Sequence, residues 1–238
     1  MSVIIPAYNA APYIVEQLAS LAQQDYEGPF EVIIADNGSQ DDTVGVAQTF
    51  VGRLDLRVVD ASTIRGGGPA RNVGVEASSG QLLVFADADD VATTSWLSQL
   101  VAASPRWDLT AGPYDYKLLN SPVVQAWGKG WPMERLPGEN GNFLPFAFGG
   151  NLAVWRQVFQ AVGGFCKGFS EDVDFSWRAQ LAGYRLGFAP NAIMYHRDRP
   201  TMWSHALQFM RWGDAECRNY RTFRDQGMLR RPLWRGIG

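Results

Sequence analysis

Residues 82 to 90 read LLVFADADD, an apolar run that breaks into three aspartates within four positions. Like charges this close repel one another and desolvate poorly, so the cluster calls for water or for a cation. In extended chain, side chains two apart share a face with Cα atoms roughly 6–7 Å apart, so Asp87 and Asp89 can converge on one point. Hard carboxylate oxygens at an open strand end suit Mg2+ or Mn2+, which take one or two carboxylates together with substrate phosphates. A solvated turn rich in aspartate is the competing reading. Asp90 points the other way and is placed to cap or precede a helix around Ser95 to Val101.

Asp36 ends a second apolar run, VIIAD. An acceptor there can hold an N–H of a base or a ribose hydroxyl. The alternative is an Asx-turn, since ADNGSQDDT is full of turn formers. The stretch IRGGGPARNVG, residues 64 to 74, carries neither GxGxxG nor Gly-Lys-Ser/Thr, so it is no dinucleotide fingerprint and no P-loop. It reads as a flexible loop that brings Arg71 to a helix start beside a phosphate site, or as an ordinary surface loop. In SEDVDFSWR, Glu171 and Asp174 suit the first turn of a helix, and Asp174 forms an i, i+4 pair with Arg178. That leaves Asp172 free, and a carboxylate held at a cleft can act as a general base toward an alcohol. Only two histidines occur, His196 and His205; His196 follows the strand-like AIMY and precedes the polar turn RDRP.

The elements that position these residues alternate in the first half. Val3 to Ile5, Val32 to Ala35, Leu56 to Val59 and Leu82 to Ala86 read as strands. Between them Ile14, Leu18 and Leu21 make one helical face, Ser39 resembles a second helix start with Asp42 as an acid in its first turn, and Pro69 opens a third helix ending near Gly80. Such βαβ units predict a mostly parallel sheet, whose ligands sit outside the carboxyl ends of the strands. Those ends carry Ala7-Tyr8-Asn9, Asp36-Asn37 and Asp87-Ala88-Asp89. Residues 104 to 148, rich in Pro, Gly and Trp, read as an irregular insertion that shapes a binding surface. Beyond it come a helix and strand from Ser170 and a last amphipathic helix near Thr201, with Trp203, Leu207 and Met210 at helical spacing.

Composition excludes several classes. At 238 residues and 46% hydrophobic content the chain can bury a sizeable core, and a net charge of -3 argues against a nucleic-acid partner. Cys166 and Cys217 form no disulfide framework, which suits a reducing compartment, and no apolar run reaches the ~20 residues of a membrane span. A cytoplasmic protein is expected. The tail from Arg218 to Arg235 carries Arg218, Arg221, Arg224, Arg230, Arg231 and Arg235 against Asp225 alone. It reads as a solvated helix face or as a patch for anionic lipid, the second giving peripheral contact at the inner face of a membrane.

Taken in order, VIIPAYN, VIIADNGSQDDT, GPARNVGVEASSGQLLVFADADD and SEDVDFSWR resemble the inverting family 2 glycosyltransferases of the GT-A fold, over most of residues 2 to 200. The resemblance implies an α/β fold with a Rossmann-like, mostly parallel central sheet flanked by helices, and here a C-terminal helical extension. It implies a donor half over 1–103, an acceptor-binding and catalytic half over 104–200, and a helix with a basic tail over 201–238. A nucleotide-diphosphate sugar, usually UDP-linked, would contact Pro6, Ala7, Tyr8 and Asn9, with Tyr8 near the base, Asp36 hydrogen-bonded to it and Arg71 close by. Asp87 would lie near the ribose and metal, next to Ala88, and Asp89 would ligate the Mn2+ or Mg2+ on the pyrophosphate. Asp172 matches the catalytic base, and His196 a position that in some members adds a metal ligand.

The chain departs from processive members in lacking a QxxRW motif, having only FSWR, so transfer of one or a few sugars is expected. The acceptor would be a sugar, a lipid-linked group or a small molecule, met by flat faces such as Trp127, Trp131 and Trp177, although Trp177, on the apolar face of its helix with Val173 and Leu181, reads equally as core. Two other readings compete. A non-catalytic sugar-nucleotide or glycan-binding protein would keep the fold, but the acids are intact at both the metal and base positions. A pyrophosphorylase would want a glycine-rich, lysine-containing loop after the first strand, where PAYNAAP has neither.

Overall fold

A computed structural model of the chain describes residues 1–127, 130, 133–139, 141, 143–168 and 170–230. The first half follows the alternating pattern: β1 Ser2–Ala7, α1 Ile14–Leu21, β2 Glu31–Asp36, α2 Thr43–Gln48, β3 Asp55–Asp60, α3 Gly67–Ala77 and β4 Leu82–Ala86. After it come β5 Val91–Ala92, α4 Trp96–Ala103, β6 Leu109–Ala111, β7 Tyr114–Asp115, α5 Pro122–Trp127, β8 Asn151–Trp155 and α6 Arg156–Val162. The chain then forms α7 Glu171–Leu181, β9 Leu186–Phe188, β10 Met194–Tyr195 and α8 Met202–Phe223.

Seven strands form the main sheet in the order β3-β2-β1-β4-β8-β6-β9. Only β8 runs against the others, being antiparallel to both β4 and β6. The sheet is thus mostly parallel, as expected. Its strands are nearly continuous apolar runs because both faces are covered. Alternate residues split between two cores. Val3, Ile5, Val32, Ile34 and Val84 pack on α1, α2 and α4, through Leu18, Ala47 and Trp96. Ile4, Ile33, Leu83 and Phe85 pack on α3, α6 and α7, through Val75, Phe159 and Phe175.

Strand order reverses between β1 and β4, which is where a crevice opens in such sheets. The pairing of β1 with β4 covers only Ser2 to Ile4, whereas its pairing with β2 continues to Ala7. Pro6, which has no N–H to give, therefore lies past the end of the β4 ladder, where its missing donor costs little. Beyond that point the two chains diverge around the crevice.

The segment from 104 to 148 is less irregular than its composition suggests. It contributes β6 to the main sheet and β7 to a small three-stranded sheet, β5-β10-β7. These strands are two or three residues long and gain their stability from neighbours distant in sequence, so local periodicity carries no trace of them. The last helix starts as expected: Thr201 caps it, accepting from Ser204 N–H, in a reciprocal capping box. Phe223 on α8 and the following Met228 pack against Trp177.

Of the two readings of Trp177, the core one holds. Only 4% exposed, it packs edge-on against Phe143, Phe146 and Phe223 and donates its indole N–H to Leu144 O at 2.8 Å. It is core rather than a free flat face. Trp131, Arg231 and Arg235 lie outside the described residues.

Candidate active site

At the carboxyl edge of the sheet lies a cleft of about 2150 Å³. Pro6, Ala7, Tyr8, Asn9, Arg71, Asp87, Ala88, Asp89, Asp172 and His196 all line it. Asp36 stands beside it, in register with Ala7, and accepts from Ser39 N–H with both oxygens at 3.3 Å. That is the turn geometry its neighbours predict.

The base of the cleft centres on Arg71. It is not on a flexible loop: it belongs to α3, is 5% exposed, and its guanidinium reaches in two directions. One nitrogen bonds Asp87 Oδ1 at 2.6 Å, the other Glu171 Oε1 at 2.8 Å. Glu171, assigned by its spacing to the helix dipole, is thus tied across the cleft, while Asp174 pairs with Arg178 at 2.7 Å as the spacing predicts. The pair Gly149-Gly150 makes this possible: a Cβ on Gly149 would press on the Arg71 guanidinium and one on Gly150 on the Asp87 carboxylate.

Asp172 sits next to this bridge at the start of α7. Its Oδ2 accepts from Gly149 N–H at 2.9 Å and its Oδ1 from Val173 N–H at 2.9 Å. Burial pushes the carboxyl above its usual range, against the pull of the Gly149 N–H and of Arg71. Each oxygen keeps a lone pair beyond these bonds. A carboxylate so placed is oriented, partly desolvated and able to take a proton.

Asp90 is a correction. It does not cap α4, whose N-cap is Ser95. Fully buried, its Oδ1 lies 2.8 Å from His196 Nδ1 and accepts from Arg197 N–H at 3.1 Å. The reason is topological: β5 pairs antiparallel with β10, Val91 opposite Tyr195, which sets Asp90 opposite His196. Burial works against a charged imidazole here, but the Asp90 carboxylate prevails and raises the His196 pKa. Asp89 is raised as well, by burial first and then by the charge of Asp87. Among the described residues its carboxylate finds only a long contact with Arg199, 3.9 Å.

Mg2+ or Mn2+ fits these residues only in part. Among the described residues no three His, Cys, Asp or Glu side chains gather closely enough to hold a metal unaided. What the cleft offers is Asp89 with an under-neutralised carboxylate, Asp87 beside it, and His196 fixed through Nδ1 by a buried acid, the support that metal-binding imidazoles usually have. An incomplete set of hard donors suits a cation whose remaining ligands are phosphate oxygens and water.

Two contributors escaped the reading of the sequence. Arg65 places its guanidinium 4.6 Å over the Tyr8 ring, a cation–π pair at the outer end of the cleft. Asn37, buried, ties the loop before α3: its amide donates to Ala61 O and Ile64 O, and its Oδ1 accepts from Gly66 N–H at 2.9 Å. Asn37-Gly38 read as a turn, and nothing local distinguishes a turn asparagine from one that clamps a loop 24 residues away.

The family model "Glycosyl transferase family 2" matches residues 2–163. The glycosyltransferase AglE of Haloferax volcanii is 33% identical over 206 residues, covering 84% of this chain and 67% of that protein. Among solved structures, Staphylococcus aureus TarS 1-349 in complex with UDP-GlcNAc superposes with a TM-score of 0.68 at 25% identity, over 84% of this chain and 59% of that one. The mannosyltransferase PcManGT from Pyrobaculum calidifontis, in complex with GDP-Man and Mn2+, gives a TM-score of 0.64 at 25% identity over 82% of this chain. The chain spans 56% of PcManGT and so corresponds to part of each solved relative. Among the described residues no helix is long and apolar enough to cross a membrane.

Proposed function

We propose, from the premise that this chain belongs to glycosyl transferase family 2 and is a glycosyltransferase, that it transfers one sugar from a nucleotide-diphosphate sugar, UDP-linked, to an acceptor hydroxyl with inversion. The observation that carries this reading is Asp172, a half-buried carboxylate held by Gly149 N–H on the wall of the cleft that also contains Asp87 and Asp89. In the proposed division, residues 1–103 bind the donor, 104–200 bring the acceptor and the base, and 201–238 extend the acceptor side. The complexes of TarS with UDP-GlcNAc and of PcManGT with GDP-Man support a nucleotide-sugar donor.

Charge sets the terms of donor binding. Asp87, Asp89, Glu171 and Asp172 face the cleft, and Arg71 is already bound to two of them. Among the described residues six acids and six Lys or Arg residues line the cleft, so its charge is balanced overall, but Arg71 is committed to Asp87 and Glu171 and Arg197 to Glu16, so a cation at Asp89 would supply the positive charge a diphosphate needs there. Asp89, with Asp87 and His196, would hold Mn2+ or Mg2+, and the ion supplies neutralisation of the departing diphosphate. Tyr8 and Arg65 flank the base, while Asp36 accepts from it.

Asp172 then takes the proton of the acceptor hydroxyl as that oxygen bonds to the anomeric carbon. The bond from that carbon to the diphosphate oxygen breaks, its electron pair leaves on the diphosphate, and attack from the opposite face inverts the configuration. The metal requirement and the assignment of Asp89 have one joint test. Wild type is incubated with UDP- and GDP-sugars in Mn2+, Mg2+ or EDTA, and nucleoside diphosphate release is followed. Release with metal, none in EDTA, and loss on Asp89→Ala are expected. Equal release in EDTA would remove the metal from the reading.

Two exposed features bear on location. Cys166 and Cys217 are free thiols, which suits a reducing cytoplasm. Met202, Trp203 and Met210 are exposed on α8, upstream of Arg221, Arg224 and Arg230, a combination that supports contact with an anionic membrane surface. Co-sedimentation with phosphatidylglycerol vesicles but not phosphatidylcholine ones is the expected result; no pelleting with either would exclude the contact.

A further inference from the structure

The cleft is far larger than one ligand needs. Small-molecule sites usually enclose about 300–1,000 Å³, against about 2150 Å³ here. The excess lies away from the strand ends. There the wall is one face of α8, where His205, Gln208, Phe209, Trp212, Glu216 and Asn219 recur at helical spacing, and all six line the cleft.

Their chemistry is specific. Trp127 at the end of α5, then His205, Phe209 and Trp212 make a chain of ring contacts, with centroids 6.2, 6.3 and 5.2 Å apart. Phe209 and Trp212 remain 55% and 37% exposed, so their faces are open to the cleft rather than consumed by packing. Interleaved with the rings are amide and carboxylate side chains, Gln208, Asn219 and Glu216. His205 is 7% exposed, and its Nε2 is buried with no hydrogen-bond partner among the described residues. A buried polar atom left without a partner is costly, and a ligand that supplies the partner recovers that cost. Flat rings with amides and an imidazole between them match a pyranose, which has an apolar C–H face and a rim of hydroxyls.

We propose that this face of α8 is the acceptor subsite and that its ligand is the terminal sugar ring of a carbohydrate acceptor, stacked on Phe209 and Trp212 with a hydroxyl on His205 Nε2. The proposal rests on the transferase reading, since the subsite opens into the cleft that holds Asp172. It goes beyond the family likeness: α8 begins at Met202, past the matched residues 2–163.

The test uses the whole chain and a panel of methyl glycosides: methyl α-mannoside, methyl α- and β-glucoside, methyl β-galactoside and methyl β-N-acetylglucosaminide. Binding is followed by saturation-transfer and chemical-shift NMR, with and without UDP and Mn2+, and UDP binding is titrated separately. At least one glycoside is expected to bind wild type, and Trp212→Ala and Phe209→Ala, both at exposed positions that a fold tolerates, are expected to weaken it ten-fold or more. His205→Gln is expected to weaken it less, because the amide can still exchange a hydrogen bond. If no glycoside binds, or the bound one is indifferent to Trp212→Ala and Phe209→Ala, the proposal is overturned. It is equally overturned if decaprenyl phosphate binds in a Trp212-dependent way and the glycosides do not. Failure of UDP to bind would instead count against the donor reading, and the glycoside titration without UDP would still decide the subsite.

Discussion

The two walls of the cleft are built differently. On the donor side, Tyr8, Asp36, Asp87 and Asp89 each sit within three residues of the end of a strand whose partners are adjacent in the sheet. On the acceptor side, Gly149, Asp172, His205 and Trp212 come from turns and helix faces whose neighbours lie far along the chain. The difference teaches where a fold writes its chemistry: regular parallel strands deliver polar residues to one edge by periodicity alone, whereas a specificity wall depends on long-range packing. Arg71 is the strut between them, holding Asp87 of the first wall and Glu171 of the second.

Cutting that strut should cost most. Arg71→Met removes the shared cation of two partly exposed carboxylates, Asp87 and Glu171, a change worth about 3 kcal/mol of stability, the low end for a buried pair. Urea unfolding at pH 7 measures it, and a loss under about 1 kcal/mol would mean that the walls are held together elsewhere.

A smaller effect is expected at the opposite edge of the donor half. Burial alone would raise the pKa of Glu31, but hydrogen bonds from Ser2 and Ser79 and the charge of Arg57 win and bring it down to about 2. A depressed carboxyl contributes stability that is complete above its unfolded value near 4.5 and is lost as pH falls toward about 2. Glu31→Gln should therefore be less stable than wild type by on the order of 2–3 kcal/mol at pH 7. The gap should close between pH 4.5 and 2. A gap that does not change with pH would deny the linkage. Smallest is the cap of the acceptor-side helix: Thr201→Ala should cost about 1 kcal/mol. Hydrogen exchange should place that loss in α8 rather than in the sheet, and a uniform loss would make α8 part of one cooperative unit with the donor half.

The same contrast decides what was legible in the sequence. The strands VII, VIIA and LLVFA, the helix start at Thr201, and the Asp174–Arg178 pair could be read because each depends on neighbours within about four residues, whereas α2 starts at Thr43 rather than at Ser39. Asp90 was misread because its partner His196 is 106 residues away, brought close by two-residue strands with no periodicity to detect. Trp177 read equally as core or as a sugar-binding face, and the distant Phe143, Phe146 and Phe223 that enclose it decide for core. Arg71 stood beside three glycines, so it looked mobile; in fact the glycines let backbone approach and the arginine is buried.

The central claim is that Asp172 takes the acceptor proton, and kcat with donor affinity for Asp172→Asn tests it most directly. The account predicts a loss of about 10²–10⁴-fold in kcat, with the affinity for UDP and Mn2+ within about three-fold of wild type, since an amide keeps the shape but cannot take a proton. Wild-type turnover in Asp172→Asn, with donor binding intact, would contradict it.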